Sequence, residues 1–155
     1  MGLRAYGMIS NTKEIGGREI SVVKSCNSFF IQQEGLKGTL LLPSALDEQL
    51  ELVAYLEDEI YNHQTNNNIN KTATGASIES SIMYLTTDRK FKYFCGYSAQ
   101  NDVYRLILTT HFGSTSKEEN SVRIITFSAG EIENFLEFLK ESFSELSRFR
   151  DEDLL

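Results

Sequence analysis

Ser44-Ala45-Leu46-Asp47 and Ser128-Ala129-Gly130-Glu131 stand 84 residues apart, and each closes a run of short strand-like segments and opens a stretch with helical spacing. Ser followed three positions on by an acidic residue spells a capping box. In that motif the Ser hydroxyl accepts from a backbone N–H of the first turn, and the acid reaches back to the cap's own N–H. Two such quartets at matching points predict a chain that says the same thing twice.

Working outward from the first quartet, Leu3–Ile9, Arg18–Lys24, Ser28–Gln33 and Gly38–Leu42 read as strands: short, β-branched or aromatic, and separated by turn-rich pieces. The separators are Ser10-Asn11-Thr12, the Gly16-Gly17 hairpin, Cys26-Asn27 and Glu34-Gly35. Pro43 suits a position just ahead of a helix and not a sheet interior. Beyond it Leu46, Leu50, Val53, Ala54 and Ile60 have helical spacing, predicting a helix to about Asn62. The following His63–Ser77, HQTNNNINKTATGAS, is polar and Asn-rich and reads as a solvated linker.

The second half repeats the order, with strands at Ser80–Thr87, Phe91–Tyr97, Val103–Thr110 and Ser121–Phe127 and a helix over about Ala129–Arg148. Its stripe is Ile132, Phe135, Leu136, Leu139, Phe143 and Leu146. His111–Asn120 (HFGSTSKEEN) reads as a polar hairpin tip, a place for mobility or contact. The expected fold class is therefore α+β: two ββββα repeats, twisted antiparallel sheets each covered by a long helix. The expected boundaries are a first repeat over 1–62, an Asn-rich linker over 63–78, a second repeat over 79–149 and an acidic tail over 150–155, with the repeats forming one compact domain. The two helical stripes are out of phase when counted from their Ser residues, and the halves share little residue identity, so the repeat is one of structure.

The 155 residues, 41% hydrophobic with 17 Phe and Tyr, suffice to fill one core without covalent staples. Cys26 and Cys95 form no spaced motif, and MGLRAYGMIS lacks an apolar signal core, so both thiols are expected reduced and the protein intracellular, in cytoplasm and nucleoid or in a nucleus. No stretch approaches the roughly 20 apolar residues of a membrane span. Gly2 begins no myristoylation pattern, because Tyr6 stands where Ser or Thr is needed. Asn70-Lys71-Thr72 is a glycosylation sequon by spelling only.

Charge is segregated by element. The net charge of −7 argues against a nucleic-acid partner, since affinity for phosphates comes from Lys and Arg. Yet the sheet-forming parts, residues 1–46 and 63–128, sum to +4, whereas residues 47–62 and 129–155 sum to −11. If each helix covers one face of its sheet, the opposite face inherits the basic excess. Asp88-Arg89-Lys90-Phe91-Lys92-Tyr93-Phe94 interleaves three basic residues with three rings, and Tyr104-Arg105 adds to them on the neighbouring strand. By alternation Lys90, Lys92 and Phe94 share one face and Phe91, Tyr93 and Cys95 the other, and one set must be core. Exposed rings with backbone-tracking cations are the chemistry of single-strand binding, where stacking contributes about 1–3 kcal/mol per base. The competing reading is that strand aromatics pack a core and a Lys-rich strand protects an edge. In the first half Arg4, Tyr6, Arg18, Lys24, Phe29, Phe30 and Lys37 supply a matching candidate surface.

A four-strand, one-helix unit repeated within this length resembles the Pur-alpha repeat fold and the related Whirly single-strand-binding proteins. The resemblance covers residues 3–148 as topology. It is clearest at Val103–Glu145, VYRLILTTHFGSTSKEENSVRIITFSAGEIENFLEFLKESFSE, with a basic-aromatic strand, a variable hairpin, a strand ending in Ser and a long helix. The basic KGKAAL-type motif of the Whirly family is absent, Lys37-Gly38-Thr39 being only a short echo in a different strand. The resemblance implies repeats that swap helices or pack them together, and twisted sheets that hold single-stranded DNA or RNA. On that reading Arg89, Lys90, Lys92, Phe94, Tyr104 and Arg105, with Arg18, Lys24 and Lys37, hold the strand. A helix-mediated homodimer is as natural for such folds as a monomer.

The end, Arg150-Asp151-Glu152-Asp153-Leu154-Leu155, resembles the acidic tips by which single-strand-binding proteins recruit replication and transcription or repair partners; its plain alternative is a solvated tail. Catalysis finds little support. His63 and His111 keep no company at metal-ligand spacing, no Gly-rich phosphate loop is present, and the carboxylates of Leu46–Tyr61 form the solvent face of an amphipathic helix. The expectation is a non-enzyme without cofactor or metal. The alternative function is a protein-interaction or regulatory module whose acidic helices or tail meet a basic partner.

Overall fold

The computed structural model describes residues 8–26, 28–35, 38–70, 77–78, 84–86, 91–98, 100–110 and 121–148, and for residues 65–70, 77–78, 109–110 and 121 the backbone only. The fold is α+β, with two antiparallel sheets and two helices. The first sheet has the order β1 (Met8–Ile15), β2 (Arg18–Ser25), β3 (Ser28–Gln33), β4 (Leu40–Leu42), followed by α1 (Leu46–Asn70). The second is built from β5 (Ser77–Ile78), β6 (Tyr84–Leu85), β7 (Phe91–Ser98), β8 (Val103–Thr110) and β9 (Ser121–Ser128), followed by α2 (Ile132–Leu146). Its order is β5-β7-β8-β9, with β6 also pairing β7.

Several boundaries differ from the sequence reading, each for a local reason. The first described strand, Met8–Ile15, runs six residues past the expected end at Ile9, because Gly16-Gly17 is the turn that closes it; residues 3–7 of the expected strand lie outside the described residues. Both glycines have positive φ (62° and 79°) and Ile15 pairs with Arg18, the geometry of a two-residue primed hairpin, which a side chain would strain. Asn11-Thr12, expected as a turn, lies inside this strand. Of the strand expected at Ser80–Thr87, residues 84–86 are described and Tyr84–Leu85 pairs with Tyr93 and Lys92, the rest lying outside the described residues; Ser77–Ile78, expected as linker, pairs with Ser98 and Tyr97.

Helix α1 runs to Asn70, eight residues past the expected end at Asn62, so the linker expected to begin at His63 is helical in its first half. His63 is 3% exposed and anchors that extension in the core, which outweighs the poor helix propensity of the Asn run. The apolar stripe of α1 is also displaced. Leu46 and Leu50 are 62% and 63% exposed, while Gln49, Leu52, Val53, Leu56, Ile60 and His63 are buried. Neither Ser quartet forms the reciprocal box. The Asp47 carboxylate accepts from the Glu48 N–H at 2.9 Å, and the Glu131 N–H donates to Ser128 O at 3.0 Å in a turn that delays α2 to Ile132. The α2 stripe is as read, with Phe135, Leu136, Leu139, Phe143 and Leu146 buried and Phe138 joining them.

The chain divides into two compact units that cut across the repeats: residues up to Val53 together with Glu133 onward, and Ala54–Ile132. In the first unit the sheet β1–β4 is packed by α2, the helix of the other repeat. Phe29 meets Phe143 edge-on with ring centroids 5.8 Å apart, and the Asn11 amide donates to Glu145 Oε2 at 2.8 Å and to Ser142 Oγ at 3.5 Å. In the second unit the sheet β5–β9 is packed by α1 from Tyr55 onward. Thus α2 packs on the sheet that it does not follow in sequence, and α1 does so from Tyr55 onward, its first turns up to Val53 belonging to the first unit.

Candidate nucleic-acid interface

Alternation along each strand, with burial, assigns the two faces of each sheet. In the second unit the helix-covered face mixes aromatic rings with aliphatic side chains. Tyr93, Cys95, Tyr97, Tyr104, Leu106, Leu108, Ile125 and Phe127 are all at most 2% exposed. Tyr84 lies between Tyr55 and Tyr93 at centroid distances of 6.2 and 6.0 Å, and His63 stacks on Tyr97 at 5.9 Å and meets Tyr104 edge-on at 6.0 Å. The Tyr55, Tyr97 and Tyr104 hydroxyls and His63 Nε2 are directed to partners, while His63 Nδ1 is buried without one. The Tyr97 hydroxyl donates to Asp102 Oδ1 at 2.5 Å, and burial, that hydrogen bond and the carboxylate's charge push the phenol up to about 12.

Cys95 lies between the residues that pair with β5 and those that pair with β6, and its main chain is completed by α1. Its N–H donates to the Tyr55 hydroxyl at 3.2 Å, and its carbonyl accepts from His63 Nε2 at 3.2 Å. His63 Nε2 also lies 3.6 Å from Glu59.

The other face of this sheet carries Lys92 and Phe94 on β7, Val103, Arg105 and Ile107 on β8, and Val122, Ile124 and Thr126 on β9. Register aligns them in rows: Lys92 with Thr109 and Val122, Phe94 with Ile107 and Ile124, and Gly96 with Arg105 and Thr126. Lys92, Phe94 and Arg105 are half-buried, Val122 is 55% and Ile124 45% exposed. The sheet thus presents an apolar band, Phe94–Ile107–Ile124, with Lys92 in the row on one side and Arg105 in the row on the other. The sequence left two choices for β7, and the structure takes Tyr93 and Cys95 as core and Lys92 and Phe94 as the open set.

The other candidates part company with these three. Tyr104, expected beside Arg105, is 1% exposed on the helix-covered face with its hydroxyl 3.5 Å from Ile60 O, and it is corrected to a core residue. Adjacent strand residues face opposite ways, so Tyr104 and Arg105 are not side by side on one surface. Lys24 is corrected likewise. It is 9% exposed in the helix-covered row Ile9–Lys24–Phe29–Leu42, with its Nζ 5.8 Å from the Phe29 ring centroid, and it lines a recess of about 420 Å³ with Ser44, Leu46 and Ser147. Arg18 lies on that same face, at the β1–β2 turn opposite Ile15.

The open face of the first sheet carries Ser10, Thr12, Glu14, Glu19, Ser21, Phe30 and Gln32, and no Lys or Arg among the described residues. The matching basic surface expected there is therefore not present in that part of the chain. Arg89, Lys90, Lys37, Arg4, Tyr6 and the tail residues Asp151, Glu152, Asp153, Leu154 and Leu155 lie outside the described residues.

Ile107, Val122 and Ile124 were missed in the sequence as site residues. Counting outward from Lys92 and Phe94 across the strand pairs would have found them, once register was known.

Among the described residues no group of three or more His, Cys, Asp or Glu is placed to hold a metal ion, and no helix is long and apolar enough to cross a membrane. The class the fold defines is an α+β protein of two antiparallel sheets and two helices. Comparison with known proteins finds no matching family model and no curated protein that matches the sequence.

Proposed function

We propose that this is a non-catalytic protein that binds single-stranded nucleic acid on the open face of its second sheet. The observation that carries the reading is the convergence of Lys92, Phe94 and Arg105 on a face that no described element covers, around the apolar band of half-buried Ile107 and exposed Ile124. A base stacks on the Phe94 ring and lies on the branched side chains, while Lys92 and Arg105 take phosphates in the rows to either side. Stacking of this type accepts every base and contributes about 1–3 kcal/mol for each one engaged. Arg89 and Lys90 precede this strand in sequence and add cations to its start. The exchange of helices between two strand-rich repeats fits a Pur-like or Whirly-like relationship, which belongs to the same proposal.

The experiment is reversal of Lys92 and Arg105 to Glu, and separately Phe94→Ala, followed by titration of labelled oligo-dT. The charge reversals are expected to weaken binding at least tenfold and to flatten its salt dependence. Phe94→Ala is expected to weaken binding about fivefold to a hundredfold, one stacked base's worth, with the salt slope unchanged. Affinity that survives both changes defeats the sheet-face reading.

One observation favours a second reading. Glu133, Glu137, Glu141 and Glu145 repeat every fourth residue along the exposed side of α2, a spacing at which like charges oppose the helix. Such a ladder suits a basic protein partner, and a pull on polylysine-rich peptides that depends on these four residues would support it.

A further inference from the structure

The first unit holds a recess of about 420 Å³ lined by Lys24, Phe29, Ser44, Ala45, Leu46 and Ser147. Three stretches that are distant in sequence meet there: the β2–β3 pair, which brings Lys24 and Phe29, the residues that lead into α1, and the residue that follows α2. Ser44, Ala45, Leu46 and Ser147 are exposed and form the rim, whereas Lys24 and Phe29, 9% and 3% exposed, form the floor.

The position of Lys24 is unusual for its side chain. It stands in the cross-strand row Ile9–Lys24–Phe29–Leu42, whose other members are apolar and at most 3% exposed. Lysine is rarely placed so deep, because taking an ammonium out of water is costly unless other groups meet it. Its Nζ lies 5.8 Å from the Phe29 ring centroid, and it has a further contact within the chain. An ammonium carries three N–H donors, so a contact within the chain and one to a ligand are compatible.

The rest of the lining suits a small organic body. Phe29, Ala45 and Leu46 offer apolar surface, and Leu46 is 62% exposed, area that a ligand would remove from water. The Ser44 and Ser147 hydroxyls add two donors at the rim. A concave, largely apolar lining with a few polar groups is the make-up of small-molecule sites, whose volumes run from roughly 300 to 1,000 Å³.

We propose that this recess binds a small organic monocarboxylate, its head on Lys24 with the Ser44 and Ser147 hydroxyls, and its apolar body against Phe29 and Leu46. Charge selects a single negative head. Lys24 is the one cation in the lining among the described residues, and Asp47 and Glu48 follow Leu46 directly on α1, so a doubly charged phosphate monoester meets repulsion there. A free acid and the C-terminal residue of a peptide present the same chemistry, and both are probed. The inference stands apart from the nucleic-acid reading, because the lining shares no residue with Lys92, Phe94 and Arg105.

The test is a titration of the ¹⁵N-labelled full chain with hexanoate, N-acetyl-leucine, hexanol and hexyl phosphate at low salt, followed by amide chemical shifts. Hexanoate, N-acetyl-leucine or both are expected to give saturable shifts concentrated at Lys24, Phe29, residues 44–46 and Ser147, the tighter one identifying the free acid or the peptide end as the source. Hexanol and hexyl phosphate are expected to bind at least tenfold more weakly than the tighter carboxylate. Lys24→Met keeps the apolar stem and removes the charge, and it is expected to weaken carboxylate binding at least tenfold. Whatever affinity the parent has for oligo-dT is expected to be unchanged in that variant. Leu46→Glu, at an exposed position, sets a carboxylate at the rim and is expected to weaken binding to a similar degree, with circular dichroism showing that the variant is folded. No saturable shift with either carboxylate overturns the proposal. So does hexanol or hexyl phosphate binding as tightly as the carboxylates, or undiminished binding in the folded variants.

Discussion

Cys95 is the residue whose main chain ties the second sheet to its helix, and the contacts are side-chain substitutes for a strand. Tyr55 and His63 are eight positions apart on α1, and together they take the N–H and the C=O that a neighbouring strand would take. Tyr55→Phe keeps the ring against Tyr84 and removes the acceptor of a sheet N–H. It is expected to cost about 1–3 kcal/mol in urea unfolding, the penalty of leaving a sequestered donor unmade. A loss near zero would show that water serves Cys95 equally well. Tyr97 gives a pH signature at the same scale. Its phenol is pushed up to about 12 from the ordinary 10.0, so the folded chain holds that proton to higher pH than the unfolded chain does. The resulting stability is complete below pH 10 and is lost as the pH climbs toward 12. Tyr97→Phe should therefore flatten the fall in stability over that window relative to the parent, and parallel curves would contradict the assignment.

At the scale of elements, the exchange of helices decides which core each one stabilises. Phe143 lies on α2, which follows the second sheet, yet its ring meets Phe29 in the first. Phe143→Ala is expected to destabilise by about 3–5 kcal/mol and to raise amide exchange first in β1–β4. Exchange rising first in β7–β9 would refute the packing. The resemblance implied repeats that swap helices or pack them together, but the residues themselves did not say which helix meets which sheet, although much else was legible. The strands Ser28–Gln33 and Val103–Thr110 carried their own β-branched and aromatic signal, and α2 declared its face because six apolar residues recur at helical spacing. The face of α1 was read correctly at Val53 and Ile60 and misread at Leu46 and Leu50, for a physical reason. Its core side includes Gln49, Glu59 and His63, polar groups buried by specific partners, so hydropathy pointed to the exposed Leu46 and Leu50 instead. The candidate site was half legible: Lys92, Phe94 and Arg105 were named from composition and alternation, whereas Tyr104 and Lys24 required knowledge of which face a helix covers.

Over the whole molecule, the charge segregation read in the sequence survives in altered form. The described open face of the first sheet has hydroxyls, the Gln32 amide, two glutamates and the apolar row Val23–Phe30–Leu41, and the cations of the described open faces belong to the second sheet. A small cationic set implies a shallow salt dependence. Each single-strand phosphate engaged contributes about −0.7 to the slope of log affinity against log salt, so Lys92 and Arg105 with Arg89 and Lys90 predict a slope no steeper than about −3. The decisive measurement is a titration of labelled oligo-dT, mixed-sequence single-stranded RNA and duplex DNA at several salt concentrations. The account predicts binding to the single strands with that slope and little affinity for the duplex. Absence of single-strand binding at low salt, or binding that prefers the duplex, would contradict it.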